Sequence, residues 1–316
     1  MKLKFWGVRG SINSPLCPDQ YRNKLIRILE KAGGTDLSNK GSIEAFIDDL
    51  PINLRTTFGG NTSCVTINDD ENLIILDAGT GIRNLGNDLI SGKFPDSPIK
   101  EYNLFFSHLH LDHINGLPFF APVHFKDVKI NFYSHHKNFE SLISQQQNFN
   151  YFPVSLESRP CTKKFFELNE EDVISIGDMT VFSKKLNHPN GSYSYKIIDK
   201  KGKKIVYATD GEYTAKTIVS EYFDFFSGAD ILIFDSQYNF NELAQRFNFG
   251  HSTAEVGVDA AVNSGVKKLV LYHHNHENDD DKISRLFLSA LKYRDQKYSS
   301  SELDIIIANE GMEIIL

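Results

Sequence analysis

Ser107-His108-Leu109-His110-Leu111-Asp112-His113 carries three imidazoles and one carboxylate within six consecutive positions, in a chain with only 11 histidines. Each of these side chains donates a lone pair to a borderline metal such as zinc. The preceding run, Tyr102-Asn103-Leu104-Phe105-Phe106, reads as a buried strand of apolar and aromatic residues. Gly116 and Pro118 follow closely. The ligand types therefore fall on a loop where a central strand ends, which is where α/β proteins keep their chemistry. A polar turn that happens to be rich in histidine is the bland alternative. It offers no packing reason for four ligand-type groups at a buried strand exit.

Working outward, 316 residues suffice for one large domain or two modest ones. A hydrophobic share of 41% and a charged share of 24% are ordinary for a soluble globular protein. The net charge of −7 argues against a protein held mainly by phosphate-backbone electrostatics, although it leaves room for a local basic patch. No stretch is apolar enough to span a bilayer, and Met1 to Gly7 reads as a first strand rather than a signal peptide. Cys17, Cys64 and Cys161 are odd in number, far apart and without a CxxC pair. That spacing predicts neither a disulfide framework nor a thiolate metal site, and a cytoplasmic, reducing location is the expectation.

Taken in order, Leu3 to Val8 reads as a strand. Residues 14–53 then change character, with helical spacing over Arg22 to Lys31 and Ser42 to Leu50. This block is a helical insertion, either a surface excursion or a lid or dimer contact. Gly59-Gly60-Asn61-Thr62-Ser63-Cys64 is a Gly-rich turn feeding a strand. Asn72 to Leu76 is another strand, closed by Asp77-Ala78-Gly79-Thr80-Gly81 before a helix near Ile82. Asp77 is a ligand type, but a role behind the ligands, bonding neighbouring loops, is the favoured reading. Strands are predicted at 128–133, 173–176, 179–185, 194–198, 204–208, 229–234, 268–272 and 303–308, and helices at 139–147, 252–264 and 282–291. His135 and His136 stand alone and read as surface or loop histidines. The pattern as a whole predicts a two-sheet, helix-flanked α/β sandwich forming one domain over 1–316.

Ligand types also stand at other predicted strand ends: His188 in Leu186-Asn187-His188-Pro189, Asp210 in Ala208-Thr209-Asp210-Gly211, and His273 and His274 after Leu269-Val270-Leu271-Tyr272. With these residues in view, the chain resembles the metallo-β-lactamase fold superfamily of hydrolases. His108-Leu109-His110-Leu111-Asp112-His113 matches its signature, and Asp77, His188, Asp210 and a terminal histidine follow its motif order. Phe5-Trp6-Gly7-Val8-Arg9-Gly10-Ser11, the Gly59–Cys64 turn and Gly250-His251-Ser252-Thr253 resemble a bacterial branch related to tRNase Z and to cyclic-nucleotide phosphodiesterases.

The resemblance implies an αββα sandwich with a dinuclear site at one edge. It implies that His108, His110 and His188 hold one metal, that Asp112, His113 and His273 hold a second, and that Asp210 bridges them. Two zinc ions suit these donors, with manganese or iron acceptable at the second position. His274 is the alternative to His273. The remaining catalytic groups are His251 and Asp235, beside Asp112. His251 lies where tRNase Z has a His-Ser-Thr element, and Asp235 where it has a glutamate. A carboxylate on one ring nitrogen leaves the other free to serve a leaving oxygen. The bland readings are a helix-start histidine and a strand-end turn.

The sequence departs from the branch in three places. His273-His274-Asn275-His276 stands where His-His-Asp-Pro is usual, and His276 is expected to be exposed. Asp235 is one methylene shorter than the usual glutamate. No Gly- and Pro-rich basic arm of the kind that grips tRNA is present. The expected activity is therefore hydrolysis of a phosphodiester by a hydroxide shared between two metals. The favoured substrate is a small cyclic nucleotide, 3′,5′-cyclic AMP or GMP, with Tyr151 or Phe152 available for base stacking. A tRNase Z-like endonuclease is the alternative, and a protein that sequesters a nucleotide without turnover is a second one. A homodimer, with no membrane partner, is the expected assembly.

Overall fold

The computed structural model describes residues 1–95 and 99–316. Among the described residues fourteen strands build two sheets. The first sheet takes β1 (Lys2–Gly7), β2 (Cys64–Asn68), β3 (Leu73–Leu76), β4 (Glu101–Phe105), β5 (Lys129–Ser134), β6 (Thr162–Glu167) and, from the far end of the chain, β14 (Glu313–Ile315). Its order is β14-β1-β2-β3-β4-β5-β6. The second takes β7 (Ile174–Ile176), β8 (Met179–Leu186), β9 (Ser192–Ile198), β10 (Lys204–Ala208), β11 (Ile231–Asp235), β12 (Lys268–Tyr272) and β13 (Asp304–Ile307), ordered β13 back to β7. The helices in chain order are α1 (Pro18–Lys31), α2 (Lys40–Asp49), α3 (Ile52–Arg55), α4 (Ile82–Ser91), α5 (Leu111–Ile114), α6 (Phe139–Gln146), α7 (Ala215–Thr217), α8 (Phe223–Phe226), α9 (Phe240–Gln245), α10 (Ala254–Asn263) and α11 (Asp280–Lys297).

Side-chain alternation sorts the core into three layers. On β10, Ile205 and Tyr207 face the other sheet, whereas Val206 and Ala208 face α10 and its neighbours. Between the sheets lie Leu3, Phe5, Val65, Leu76, Phe105, Ile197, Ile233 and Val270. Outside the first sheet, Ile75, Leu104 and Phe132 pack on Ile82, Leu85 and Phe139. Outside the second, Leu232, Phe234 and Leu269 pack on Val258, Ala261 and Ile283. This is the expected αββα sandwich.

Within each sheet one half is parallel. The pairs β3–β4, β4–β5 and β5–β6 are parallel, as are β10–β11, β11–β12 and β12–β13. Parallel strands bring their carboxyl ends to a common edge, where loops are free to carry chemistry. Three tyrosines of the second sheet brace that edge against the first. Tyr195 Oη donates to the Phe106 carbonyl at 2.7 Å, Tyr207 Oη to Asp77 Oδ2 at 2.8 Å, and Tyr272 Oη to the Gly7 carbonyl at 2.8 Å.

The residues 14–53 fold into α1 and α2, and neither buries a residue completely. The block is fastened by charge. Lys24 pairs with Asp280, Arg27 with Asp281, and Asn53 donates to Asp281. It therefore sits against the first turn of α11. The helix expected at 282–291 is longer at both ends, because Asp279 caps it and Asp280 is buried under Lys24. Strands β6 and β14 were not anticipated. Among the described residues no helix is long and apolar enough to cross a membrane, and the three cysteines are free.

The hydroxyl braces make a measurable claim. Tyr195→Phe leaves a buried carbonyl unpaired at the end of β4, and a loss of about 1–3 kcal/mol is expected in urea unfolding. An unchanged midpoint would show that the brace contributes nothing.

Candidate metal centre

Five parallel strands and one hairpin deliver the side chains. Asp77 follows β3, His108 lies three residues beyond β4, Asp210 two beyond β10, Asp235 closes β11, and His273 follows β12. His188 occupies the turn from β8 to β9. His110 precedes α5, and its single turn carries Asp112 and His113. Asp77, Asp210 and His273 have φ of 62°, 54° and 60°. Non-glycine residues seldom adopt this left-handed backbone, and clustering of such strain marks functional sites.

The side chains form two nests. In the first, ligand nitrogens of His108, His110 and His188 lie within 4.8 Å of one another, with His110 Nδ1 3.2 Å from His188 Nε2. In the second, Asp112 Oδ2 is 3.2 Å from both His113 Nε2 and His273 Nε2. Asp210 stands between them. Its Oδ1 is 3.8 Å from His108 Nε2 and 4.0 Å from His188 Nε2. Its Oδ2 is 3.2 Å from His113 Nε2 and 3.3 Å from His273 Nε2. One carboxylate thus presents an oxygen to each nest.

Outer contacts aim the rings. His113 Nδ1 bonds Asp77 Oδ2 at 2.8 Å, His188 Nδ1 bonds the Gly250 carbonyl at 2.9 Å, and His108 Nδ1 is 3.1 Å from Ser107 Oγ. Gly250 has φ +82°, and a Cβ there would lie 2.1 Å from His188 Nδ1, so only glycine fits. The Ser11 N–H donates to Asp112 Oδ2 at 2.7 Å.

Charge divides the imidazoles. Burial, and then the charge of His113, hold His108 well below the usual histidine range, and burial likewise lowers His110 and His188. For His113 burial opposes protonation, but Asp112, Asp210 and Asp77 outweigh it and raise the ring well above that range. His273 behaves alike: burial opposes, Asp210 and Asp112 prevail, and it is raised to about 9. Burial would raise Asp112 and Asp210, yet the surrounding histidines carry both well below the carboxylate range.

Do these residues fit a metal? Nε2 of His108 is buried without a hydrogen-bond partner. An orphaned polar atom of this kind costs about 1–3 kcal/mol, which a cation facing it removes. Imidazole and carboxylate donors suit a divalent ion of borderline softness. The donor set fits.

Beside the nests, His251 Nδ1 is 2.8 Å from Asp235 Oδ2 and 3.8 Å from Asp210 Oδ1. The residues named from sequence, His108, His110, Asp112, His113, His188, Asp210, Asp235, His251 and His273, thus converge. His274 does not: its Nε2 bonds the Ala308 carbonyl at 2.8 Å, and burial pushes the ring down to about 3. Asp77 reaches His113 from behind. His276 is half-buried rather than exposed. His135 and His136 are half-buried as well, because Tyr193 stacks on His135 at 3.9 Å. Sequence reasoning missed Ser11, Ser107, Tyr207 and Gly250. Ser11, Ser107 and Gly250 lie within the quoted motifs but had no role assigned, and Tyr207 carried no local signal.

Comparison with known proteins agrees with this geometry. The family model described as beta-lactamase superfamily domain matches residues 72–274. A ribonuclease Z from Picrophilus torridus is 27% identical over 258 residues, covering 67% of this chain and 81% of that protein. The structure of YhfI from Bacillus subtilis, described as a metallo-beta-lactamase fold protein, has a TM-score of 0.63 at 17% identity, covering 99% of this chain and 98% of that one. Unliganded yeast PDE1 has a TM-score of 0.60 at 15% identity, covering 100% and 99%.

Two outcomes are expected. Asp77→Ala strands four buried donors, the His113 ring, the N–H and hydroxyl of Ser107 and the Tyr207 hydroxyl, and should cost about 3–5 kcal/mol in denaturant unfolding. In metal-free protein, raised His273 adds stability that is full below about 6.5 and is lost as pH rises through about 9. Metal requires the neutral ring, so its stabilisation grows over the same window. Melting temperatures of chelated and zinc-loaded protein should diverge with rising pH, and parallel curves would remove His273 from the centre.

Proposed function

Since the chain belongs to the β-lactamase superfamily of hydrolases, we propose that it is a metal-dependent phosphodiesterase acting on a small cyclic nucleotide. The observation that carries this reading is the His251–Asp235 pair set against the two nests. His108, His110 and His188 would hold one divalent ion and Asp112, His113 and His273 a second, with Asp210 serving both. Zinc suits the set, and manganese or iron suits the more oxygen-rich second nest. Bound there, the ions would supply Lewis acidity and lower the pKa of a bound water from about 15.7 towards about 7.

The chain's own part is positioning and proton transfer. Asp235 accepts from Nδ1 of His251 and so fixes which nitrogen carries the proton. The other nitrogen then faces the leaving oxygen of a diester seated over the nests and gives it a proton as the P–O bond breaks. Tyr238 fixes the ring from the side, its own ring edge-on at 5.6 Å. A small substrate is supported by the net charge of −7 and by the tight turn at His188–Gly191, which returns directly to β9. A second reading, RNA cleavage, is favoured by the relative named ribonuclease Z. Cleavage of a precursor tRNA with steep salt dependence, and no turnover of cyclic nucleotides, would decide for it.

The test compares 3′,5′-cyclic AMP and GMP with bis-p-nitrophenyl phosphate on zinc- or manganese-loaded protein. His251→Ala is expected to lower kcat on the cyclic nucleotide by about 10²–10⁴-fold. The loss should be much smaller on the p-nitrophenyl ester, whose leaving group needs no proton. Equal losses on both would take His251 out of leaving-group chemistry, and failure to hydrolyse any diester would overturn the function.

A further inference from the structure

Most rings in the two nests have a visible hold on the nitrogen that points away from the centre. His113 has Asp77, His188 has the Gly250 carbonyl, and His108 has Ser107. Two rings lack one: His110, which is partly exposed, and His273, which is fully buried. Its Nε2 faces Asp112 and Asp210, while its buried Nδ1 has no hydrogen-bond partner. The nearest carboxylate oxygen, Asp235 Oδ2, is 3.9 Å away and already engaged by His251 at 2.8 Å. A ligating histidine with a free outer N–H is unusual, because that bond sets both its tautomer and its basicity.

A second orphan lies beside it. Gln237 is 2% exposed, and its Oε1 is buried without a partner. The rest of the residue is held: its backbone N–H donates to Asp235 Oδ1 at 3.0 Å, and Nε2 lies 3.4 Å from both Ser11 Oγ and Tyr238 Oη. Gly10 joins the two orphans. A Cβ built there would lie 2.7 Å from His273 Nδ1 and 2.9 Å from Gln237 Oε1. An unpaired donor and an unpaired acceptor therefore face one small notch, kept open because residue 10 has no side chain.

We propose that Gln237 is the outer partner of His273, its Oε1 accepting the Nδ1 hydrogen across the notch at Gly10. This inference rests on the two-ion reading above and adds a positioning residue to it. Gln237 touches neither ion nor substrate. It holds His273 as the Nδ1–H tautomer, so that Nε2 presents its lone pair to the second nest. The hydroxyl of Ser11 and the phenol of Tyr238 keep the amide oriented with its oxygen towards the ring. Gly10 becomes a requirement of the centre, because any side chain there would occupy the space in which donor and acceptor meet.

The test is metal uptake, measured without substrate. Zinc titration against a chromophoric chelator gives one constant for each ion, and cobalt substitution gives an absorption spectrum for each site. Gln237→Leu is expected to weaken the second ion by about 10–100-fold and leave the first unchanged. Gln237→Glu, which keeps an acceptor oxygen in the same place, should restore the second constant. Gly10→Ala should reproduce the Gln237→Leu loss. Wild-type constants for both ions in Gln237→Leu would overturn the proposal, as would equal weakening in Gln237→Leu and Gln237→Glu. Uptake of a single ion by the wild-type chain would overturn the two-ion reading and this inference with it, a result recognisable before any variant is made.

Discussion

The structure depends on a buried carboxylate. Asp77 is fully shielded from solvent, and taking such a group out of water costs several kcal/mol unless its lone pairs are filled. They are filled from four directions: the N–H and O–H of Ser107, the phenol of Tyr207 and the Nδ1 of His113. Ser107 belongs to the exit of β4, Tyr207 to the facing sheet and His113 to the candidate metal centre. One side chain therefore ties the end of β3 to its neighbour, one sheet to the other, and the framework to the chemistry. Its left-handed backbone turns the carboxylate inward where a continuing strand would have carried it past.

The same device recurs. Asp210 and His273 also turn left-handed directly or shortly after parallel strands, and Gly250 does so before His251. At Asp210 and His273 the turn spends local strain to point the side chain back towards the seam between the sheets, and at Gly250 glycine makes the turn without it. The electrostatics follow from that crowding. Buried Asp112 and Asp210 stand among several imidazoles, so both carboxylates are held well below their usual range, while His113 and His273 beside them are raised. A site in this condition is poised to exchange protons for metal.

Much of this was legible in the sequence, for a physical reason. Ligands at the ends of buried strands leave a double mark, an apolar run followed by a residue type with no packing use. His108 to His113, His188, Asp210 and His273 all carry it. Edge strands leave a weaker one. Strand β6, Thr162-Lys163-Lys164-Phe165-Phe166-Glu167, is half-exposed and alternates poorly, and β14 is three residues long. The choice between His273 and His274 depended on which way the chain turns after β12, a matter of backbone φ and of the carbonyl of Ala308. The outer partners were least visible. Tyr207 reads as an ordinary strand tyrosine until Asp77 is found at its hydroxyl, and the pair is 130 residues apart.

The origin of the donors has one more consequence. In the first nest His108 and His110 come from the first sheet and His188 from the second. In the second nest Asp112 and His113 come from the first sheet and His273 from the second. An ion seated in either is therefore a rivet through both layers of the sandwich. Chemistry and cohesion then share a fastener. Looser packing anywhere between the sheets, at Leu76, Ile197 or Val270, would register as a weaker hold on the ion before the fold itself gave way.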